Sequence, residues 1–329
     1  FKIFKFIGNA SHAQHLKFSK SSLLNQDNSN WKFRVTCLFF KLLFSRKNHI
    51  TVLAFENYLF PILTIIFLPF FIGTKFTFIV HNNIPSLALG GLKTMPFKLM
   101  TKLFKIKLIC LTSIGKEKME NLGYGKSSCF IPHMNYCHFK KNISEVNQNY
   151  SKNTTNIVLL GRQAHLFSEK VVNKVCLDNF RNLHFHVYGK NIKLNKSKNI
   201  TVYNHRLSTS DYKSALYQCD YNLFPNHDTE YRPSGILLDS ISALSPIIAP
   251  LQGHFNEFKN LEIGLFYNSQ EEFFGLLEKL NNSPIKRSAY PISGFKIAQK
   301  LTSIEKFTTE LNKVYSDFNQ NEKNTHSTK

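Results

Sequence analysis

Short runs of β-branched and aromatic residues alternate with longer stretches of helical periodicity along most of this chain. Such alternation is typical of parallel sheets whose faces are covered by helices. With 329 residues the chain is long enough for two domains of ordinary size. In the first half, strands are predicted at 1–8, 50–55, 75–81, 107–112 and 129–133. The sequence therefore predicts an α/β protein from its first residues onward.

A second alternating series follows a polar stretch, 140–155, that lacks apolar periodicity and is typical of a linker. Its predicted strands are 156–161, 184–189, 200–203, 221–224, 246–250 and 264–267. Its predicted helices are 168–179, 209–218, 235–244, 269–281 and a long closing helix from Ile292 to Phe318. We therefore expect two doubly wound domains facing a cleft, 1–145 and 146–315, followed by a flexible tail, 316–329.

The most apolar segment, Tyr58 to Gly73, limits what the first domain can be. It is sixteen residues long and contains Pro61 and Pro69, whereas a membrane-spanning helix needs roughly 20 apolar residues. Apolar strands flank it on both sides. The segment is therefore predicted to be a buried helix between two buried strands.

The charge is strongly positive and unevenly distributed. The net charge is +21, and residues 1–150 hold 20 basic but only 5 acidic residues. Such a balance favours an anionic partner, which is a nucleic acid, a membrane surface or a phosphorylated substrate. A compositional bias toward Lys, Asn, Ile and Phe accounts equally well for the total charge. Six cysteines without a CxxC pair fit a reducing, cytosolic location.

The turn after the first strand of the second domain is a candidate phosphate site. In doubly wound domains, ligands bind at the carboxyl ends of the strands. Gly161 and Arg162 follow the apolar run NIVLL, and an Arg beside a Gly suits bidentate phosphate binding. Lys170 is placed at the start of the following helix, where it adds a positive charge. The alternative is a surface Arg paired with an acid.

The strongest segment runs from Glu230 to Pro250. Ser234 and Gly235 open a helix whose first N–H groups are unpaired and attract a diphosphate. The Ser234 hydroxyl is expected to cap this helix, to donate to phosphate, or both. Asp239 lies one turn later among leucines, where a carboxylate needs a polar partner such as a ribose diol. An exposed position on the helix is the alternative for Asp239.

Three histidines follow apolar segments. His81 ends the strand 75–81, where a neutral imidazole suits a general base or an acceptor-orienting group. A strand-end His bonded to the backbone is an equally good interpretation. His133 is expected to be structural, and His254 is a weaker candidate near the donor side.

Lysines and apolar residues interleave between residues 93 and 118. The lysines are Lys93, Lys98, Lys102, Lys105, Lys107, Lys116 and Lys118, and Phe97, Leu99, Leu103 and Phe104 lie among them. This pattern suits contact with an anionic membrane leaflet. A solvated basic face is the alternative of equal weight.

In combination, these motifs resemble the GT-B glycosyltransferases, in particular glycosyltransferase family 4 of bacterial polysaccharide assembly. RPSGILLDSISALSPIIAP resembles the family's pattern of Gly, apolar residues, an acid, a small-residue helix and Pro-Val-Ile-Ala. LLGR resembles its Gly-Arg after the first strand of the nucleotide-sugar domain. FIVHNNIP and LTSIGKEKMENLGYGKSSCFIPHMNY resemble segments of its front half.

The resemblance implies a function and a set of site residues. Arg162 and Lys170 would hold the donor diphosphate, Ser234 and Gly235 its distal phosphate, and Asp239 the ribose. His81 and Glu230 would be catalytic. Glu230 lies one residue away from the place of the family's first acid, which is Tyr231 here. The activity implied is transfer of a sugar from a nucleotide-diphosphate donor to a lipid-linked or growing surface glycan, such as capsule or lipopolysaccharide.

The same resemblance implies retention of configuration. Because Arg162, Lys170 and the helix N-terminus supply positive charge, we expect a metal-independent reaction that needs no cofactor. No Asp-x-Asp motif is present. The implied location is the inner face of the bacterial plasma membrane, with peripheral attachment to its anionic surface and without nucleic acid. Two alternatives stay open: a basic nucleic-acid-binding protein, and a non-catalytic GT-B scaffold that binds donor without turnover.

Overall fold

The computed structural model contains two parallel sheets, each in its own compact unit. The residues that it describes are 39–40, 43, 49–52, 57–80, 83–135, 154–170, 180–194, 197–205, 207–225 and 231–326. Within these ranges, only the backbone is described for residues 168–170 and 317–326. The first unit takes residues up to 111 together with 115–130, and the second takes 112–114 and the chain from 131 onward. The linker predicted at 140–155 lies almost entirely outside the described residues, and so does the predicted strand 1–8.

The sheet of the first unit has the order β1-β2-β3-β4, and all its neighbouring strands are parallel. Its strands are β1 (His49–Val52), β2 (Lys75–Val80), β3 (Lys105–Cys110) and β4 (Ser128–Phe130). Its helices are α1 (Leu59–Ile66), α2 (Leu68–Phe71), α3 (Ile84–Leu89), α4 (Met95–Leu103) and α5 (Ser113–Met119). The first two residues of α5, Ser113 and Ile114, belong to the second unit. The predicted strands match these within a few residues, because strands buried in a parallel sheet are nearly continuous apolar runs.

The apolar segment 58–73 forms two short helices, α1 and α2, rather than one buried helix. Phe60 and Phe71 are buried, but Ile66, Phe70 and Ile72 are 64%, 62% and 76% exposed. The expectation of a fully buried segment is therefore wrong. Among the helices of the described residues, none combines the length and the apolar character needed to cross a bilayer.

Phenylalanine rings fill the core of the first unit. Phe76 and Phe78 of β2 stack with their centroids 5.9 Å apart. Phe60 from α1 and Phe97 from α4 meet Phe78 edge-on, each at 6.0 Å. These rings join the helices to the sheet through aromatic contacts that add to the burial of their large apolar area.

The sheet of the second unit has six parallel strands in the order β10-β9-β8-β5-β6-β7. The strands are β5 (Thr155–Leu160), β6 (Leu183–Tyr188), β7 (Ile200–Tyr203), β8 (Tyr221–Leu223), β9 (Ile247–Pro250) and β10 (Gly264–Tyr267). The order reverses between β5 and β8, which pair directly. This is the doubly wound order predicted from the alternation, and its reversal point is where such sheets bind ligands.

The helices of the second unit are α6 (Arg162–Lys170), α7 (Thr209–Gln218), α8 (Gly235–Ser242), α9 (Gln270–Asn282), α10 (Ile292–Leu301) and α11 (Ile304–His326). The single closing helix predicted from Ile292 to Phe318 is two helices. The first ends at Leu301, and its C-cap Thr302 donates its hydroxyl back to Ala298 O. Ser303 caps the next helix by accepting from Lys306 N. The second helix runs to His326, beyond the start of the tail expected at residue 316.

Candidate functional site

The turn that follows β5 lies at the reversal point of the second sheet. Gly161 has φ +55°, a left-handed conformation that glycine adopts without steric cost. A Cβ atom at Gly161 would lie 3.8 Å from Ile236 Cδ1. Since Ile236 is in the first turn of α8, the β5–α6 turn and the start of α8 lie side by side.

Arg162 is the first residue of α6 and is exposed beside this turn. The prediction that the helix starts near residue 168 is wrong, because α6 begins at Arg162. Lys170 is consequently the last residue of α6, about 12 Å along the helix axis from Arg162. The side chain of Lys170 lies outside the described residues, and its role in donor binding stays a prediction.

The start of α8 has the geometry expected of a capped anion site. Ser234 Oγ accepts a hydrogen bond from Leu237 N at 3.3 Å, which is an N-cap interaction. Gly235 is exposed, and a Cβ atom there would meet nothing within 4 Å. The first N–H groups of a helix have no acceptor within the helix and carry its positive partial charge. The N-terminus of α8 is therefore open to an anion.

Arg232 strengthens this site, and the sequence analysis did not single it out. Its Nε atom is buried and has no hydrogen-bond partner among the residues that the structure describes. A guanidinium has only donors, so a buried N–H without an acceptor is costly unless a ligand supplies one. The signal in the sequence was an Arg two residues before the predicted N-cap.

Asp239 lies one turn beyond Gly235 and already has a protein partner. Tyr212 of α7 donates its hydroxyl to Asp239 Oδ2 at 2.7 Å. The other oxygen, Oδ1, receives no hydrogen bond from the described part of the chain. Tyr212, which the sequence pattern did not indicate, is thus the partner of one carboxylate oxygen, and the contact of Asp239 with a ribose stays a prediction.

His254 contacts the backbone of the N-cap residue of α8. It is 1% exposed, and its Nδ1 accepts a hydrogen bond from Ser234 N at 3.1 Å. An accepting Nδ1 assigns the ring proton to Nε2, which is 3.9 Å from Glu257 Oε2. Burial raises the pKa of Glu257, although its Oε1 accepts from the N–H and the hydroxyl of Ser113. His254 therefore positions the N-cap of α8 from a site closed to solvent.

His133, which was expected to be structural, is half-buried, and that role stays a prediction. Its Nδ1 lies 2.8 Å from Met134 O, and burial lowers the pKa of the imidazole while that backbone contact and Asp239 raise it. No cluster of His, Cys, Asp and Glu suited to a metal ion occurs in the described ranges.

The two predicted catalytic residues, His81 and Glu230, both lie outside the described residues. β2 ends at Val80, immediately before His81. The candidate site in the second unit consists of Arg162, which follows the turn beside the start of α8, and of four residues that precede or lie in α8: Arg232, Ser234, Gly235 and Asp239.

Comparison with known proteins supports the fold. No family profile matches this sequence, and no curated protein matches it. Solved structures do match it. HepE from Anabaena in complex with UDP-glucose has a TM-score of 0.59 at 9% identity, over 90% of this chain and 86% of that one.

Two further solved structures have a similar fold. A glycosyltransferase from Rickettsia africae has a TM-score of 0.58 at 13% identity, over 94% of this chain and 89% of that one. WaaG, a glycosyltransferase involved in lipopolysaccharide biosynthesis, has a TM-score of 0.52 at 12% identity, over 87% of this chain and 84% of that one. The chain has the GT-B fold of these structures, as its sequence motifs predicted.

Proposed function

We propose that this protein is a glycosyltransferase that takes a sugar from a nucleotide-diphosphate donor. The observation that carries the proposal is the buried Nε of Arg232, which lacks a partner among the described residues beside the open end of α8. Phosphate oxygens are the acceptors that guanidinium groups and helix N-termini both favour. The GT-B fold and the UDP-glucose in a structure that resembles this chain support the same ligand class.

In this mechanism the second unit stabilises the departing nucleotide diphosphate. Arg162, Arg232 and the N-terminus of α8 place positive charge where negative charge develops as the glycosidic bond breaks. Ser234 uses a lone pair for the cap and keeps its O–H to donate to the distal phosphate. Asp239 Oδ1 accepts from a ribose hydroxyl while Tyr212 fixes the carboxylate. Because these groups supply the charge, we propose a metal-independent reaction without a cofactor.

Finer assignments concern the catalytic residues, the stereochemistry, the acceptor and the location, and all but the location rest on the resemblance to glycosyltransferase family 4. His81 orients the acceptor or removes its proton, and Glu230 contacts the transferred sugar. The stereochemical outcome is retention. The acceptor is a lipid-linked or growing surface glycan of a bacterium, such as capsule or lipopolysaccharide, and the protein associates peripherally with the inner face of the plasma membrane.

Calorimetric titration of the full chain with UDP, GDP, ADP and CMP tests the donor site. One nucleotide should bind, and both Arg232→Ala and Arg162→Ala should weaken it tenfold or more, about 1.4 kcal/mol. Lys279→Ala is the matched control, because Lys279 is an exposed cation of the same unit on α9. Its affinity should equal that of the unmodified protein.

Three other outcomes would contradict parts of the proposal. Binding of DNA with a steep salt dependence and of no nucleotide would favour a nucleic-acid-binding protein. Nucleotide binding without release of nucleotide from any sugar donor would favour a scaffold, consistent with Tyr231 in place of the family's first acid. Equal binding by Arg232→Ala and the unmodified protein would remove Arg232 from the site.

A further inference from the structure

The outward face of α4 lacks the polar residues of an ordinary surface helix. Its five exposed positions are three apolar residues and two lysines: Met95, Lys98, Leu99, Lys102 and Leu103. The apolar three are 58%, 46% and 47% exposed. Phe97 and Met100 are fully buried on the opposite side. Packing of α4 onto its own unit therefore does not account for the apolar residues outside.

A loop tip continues this face toward the N-terminus. Leu89 and Leu92 are 88% and 82% exposed, and Gly90 and Gly91 lie between them. A Cβ atom on either glycine would meet nothing within 4 Å. The tip of residues 89–92, which we call the leucine tip, therefore projects from the first unit. Leu92, Met95, Leu99 and Leu103 follow at intervals of three and four residues, so they form one stripe.

The charge around this stripe has a single sign. No Asp or Glu occurs between Glu56 and Glu117, a stretch that contains seven lysines. Lys93 is exposed between the leucine tip and α4, and Lys98 and Lys102 are exposed beside the stripe. Along this stretch of the chain, the charged side chains beside the apolar surface are therefore all lysines.

This combination fits a lipid surface better than a protein partner. Lysine is depleted at protein–protein interfaces, whereas apolar side chains next to Lys are typical of helices that lie in a bilayer interface. Each Lys close to an anionic leaflet adds attraction. We propose that the leucine tip and the outward face of α4 dock the protein on an anionic bilayer. The leucines enter the acyl boundary, and Lys93, Lys98 and Lys102 contact the lipid phosphates.

This inference deepens the peripheral membrane association in the proposed function and rests on it, but it uses none of the donor-site residues. Vesicle binding and nucleotide binding are separate measurements on the same protein. A failure of one therefore does not imply a failure of the other.

The test is co-sedimentation of the full chain with vesicles of phosphatidylcholine, alone or mixed with phosphatidylglycerol. The protein should bind the mixed vesicles, and more weakly at high salt. It should not bind the pure phosphatidylcholine vesicles. Leu89→Ser with Leu92→Ser should weaken binding at least about tenfold, because two apolar side chains lose their burial. Lys98→Glu with Lys102→Glu should weaken it by at least about tenfold as well.

Matched controls come from the second unit. Ile297→Ser removes an apolar side chain that is 51% exposed on α10, and Lys279→Glu reverses an exposed charge on α9. Neither should change vesicle binding. All variants alter exposed residues, so circular dichroism and nucleotide affinity should match the unmodified protein.

Equal binding to both kinds of vesicle, or none to either, overturns the proposal. It is overturned as well if both double variants bind like the unmodified protein, or if Ile297→Ser loses as much binding as the leucine-tip variant.

Discussion

Helices α4 and α9 have the same structural role in the two units and differ on their outward faces. Each packs an apolar stripe against its own unit, with Phe97 and Met100 in α4 and Phe273 and Leu277 in α9. The exposed positions of α9 are polar or glycine: Gln270, Glu271, Glu272, Gly275, Glu278, Lys279 and Asn282. Those of α4 are apolar or cationic. Fold requirements determine the inner stripe in both helices, whereas the outward face is free to serve a partner.

The interiors of the two units differ in the same sense. The first unit is filled by phenylalanine rings, whereas the second holds polar groups under its helices. Arg287 donates to Leu216 O and Tyr217 O at 3.3 and 2.6 Å and also to Ala243 O. His186 Nε2 lies 3.2 Å from Asn156 Oδ1. Both units bury side-chain hydrogen bonds, such as those of the Asn57–Asn83 pair in the first, and the second adds those of the half-buried Arg287.

The largest effect should come from the aromatic core of the first unit. Phe78→Ala removes a ring that is 0% exposed and should destabilise that unit by about 3–5 kcal/mol. Phe70→Ala, the same change at a ring that is 62% exposed, should change stability by no more than about 0.5 kcal/mol. Hydrogen exchange of the β2 and β3 amides measures both. A comparable loss of stability in Phe70→Ala would mean that the outward apolar residues of the first unit are covered in the free protein. The contrast between the outward faces of the two units would then not hold.

A smaller loss of stability is expected from a change at Arg287. Burial lowers the pKa of its guanidinium. Arg287→Met leaves three carbonyl oxygens at the ends of α7 and α8 without their donor, at a cost of about 3 kcal/mol. Lys279→Met removes an exposed cation and should be neutral. Denaturant unfolding followed by circular dichroism compares the two variants. If both variants unfold at the same denaturant concentration, the polar interior adds no stability to the second unit.

Acid should weaken the second unit by a smaller amount. Burial, together with the neighbouring His184, lowers the pKa of His186 from 6.5 to about 4. The unfolded state therefore binds the extra proton between these values, and stability falls as the pH drops below about 6.5. The loss between pH 7 and pH 4.5 is about 2 kcal/mol. His186→Leu should flatten this part of the pH profile in unfolding measurements, and an unchanged slope would assign the acid sensitivity elsewhere.

Much of the fold followed from the sequence because strands in parallel sheets are continuous apolar runs between turn residues. The strands Ile200–Tyr203 and Gly264–Tyr267 have the predicted bounds. The helix at 58–73 was predicted as buried because its apolar character was equated with burial. Ile66 and Phe70 show that apolar residues also occur on an outward face.

The site was predictable where backbone position determines the role and not where tertiary contact does. Ser234 and Gly235 could be placed at the start of a helix because capping residues have a local pattern. Tyr212 could not be placed beside Asp239, because 27 positions separate them and the contact joins two helices. The start of α6 was missed because its first turn, RQAH, carries little apolar periodicity.

The hydrogen bonds around α8 have a mechanical consequence. Tyr212 links α7 to the middle of α8, and Arg287 links the ends of both helices. Hydrogen bonds therefore hold the two helices together in two places, and Asp239 lies one turn from the capped N-terminus of α8. In the proposed function, a donor would have to match this spacing with the distance between its diphosphate and its ribose. In the same proposal, the loops at the strand ends would discriminate among bases and sugars.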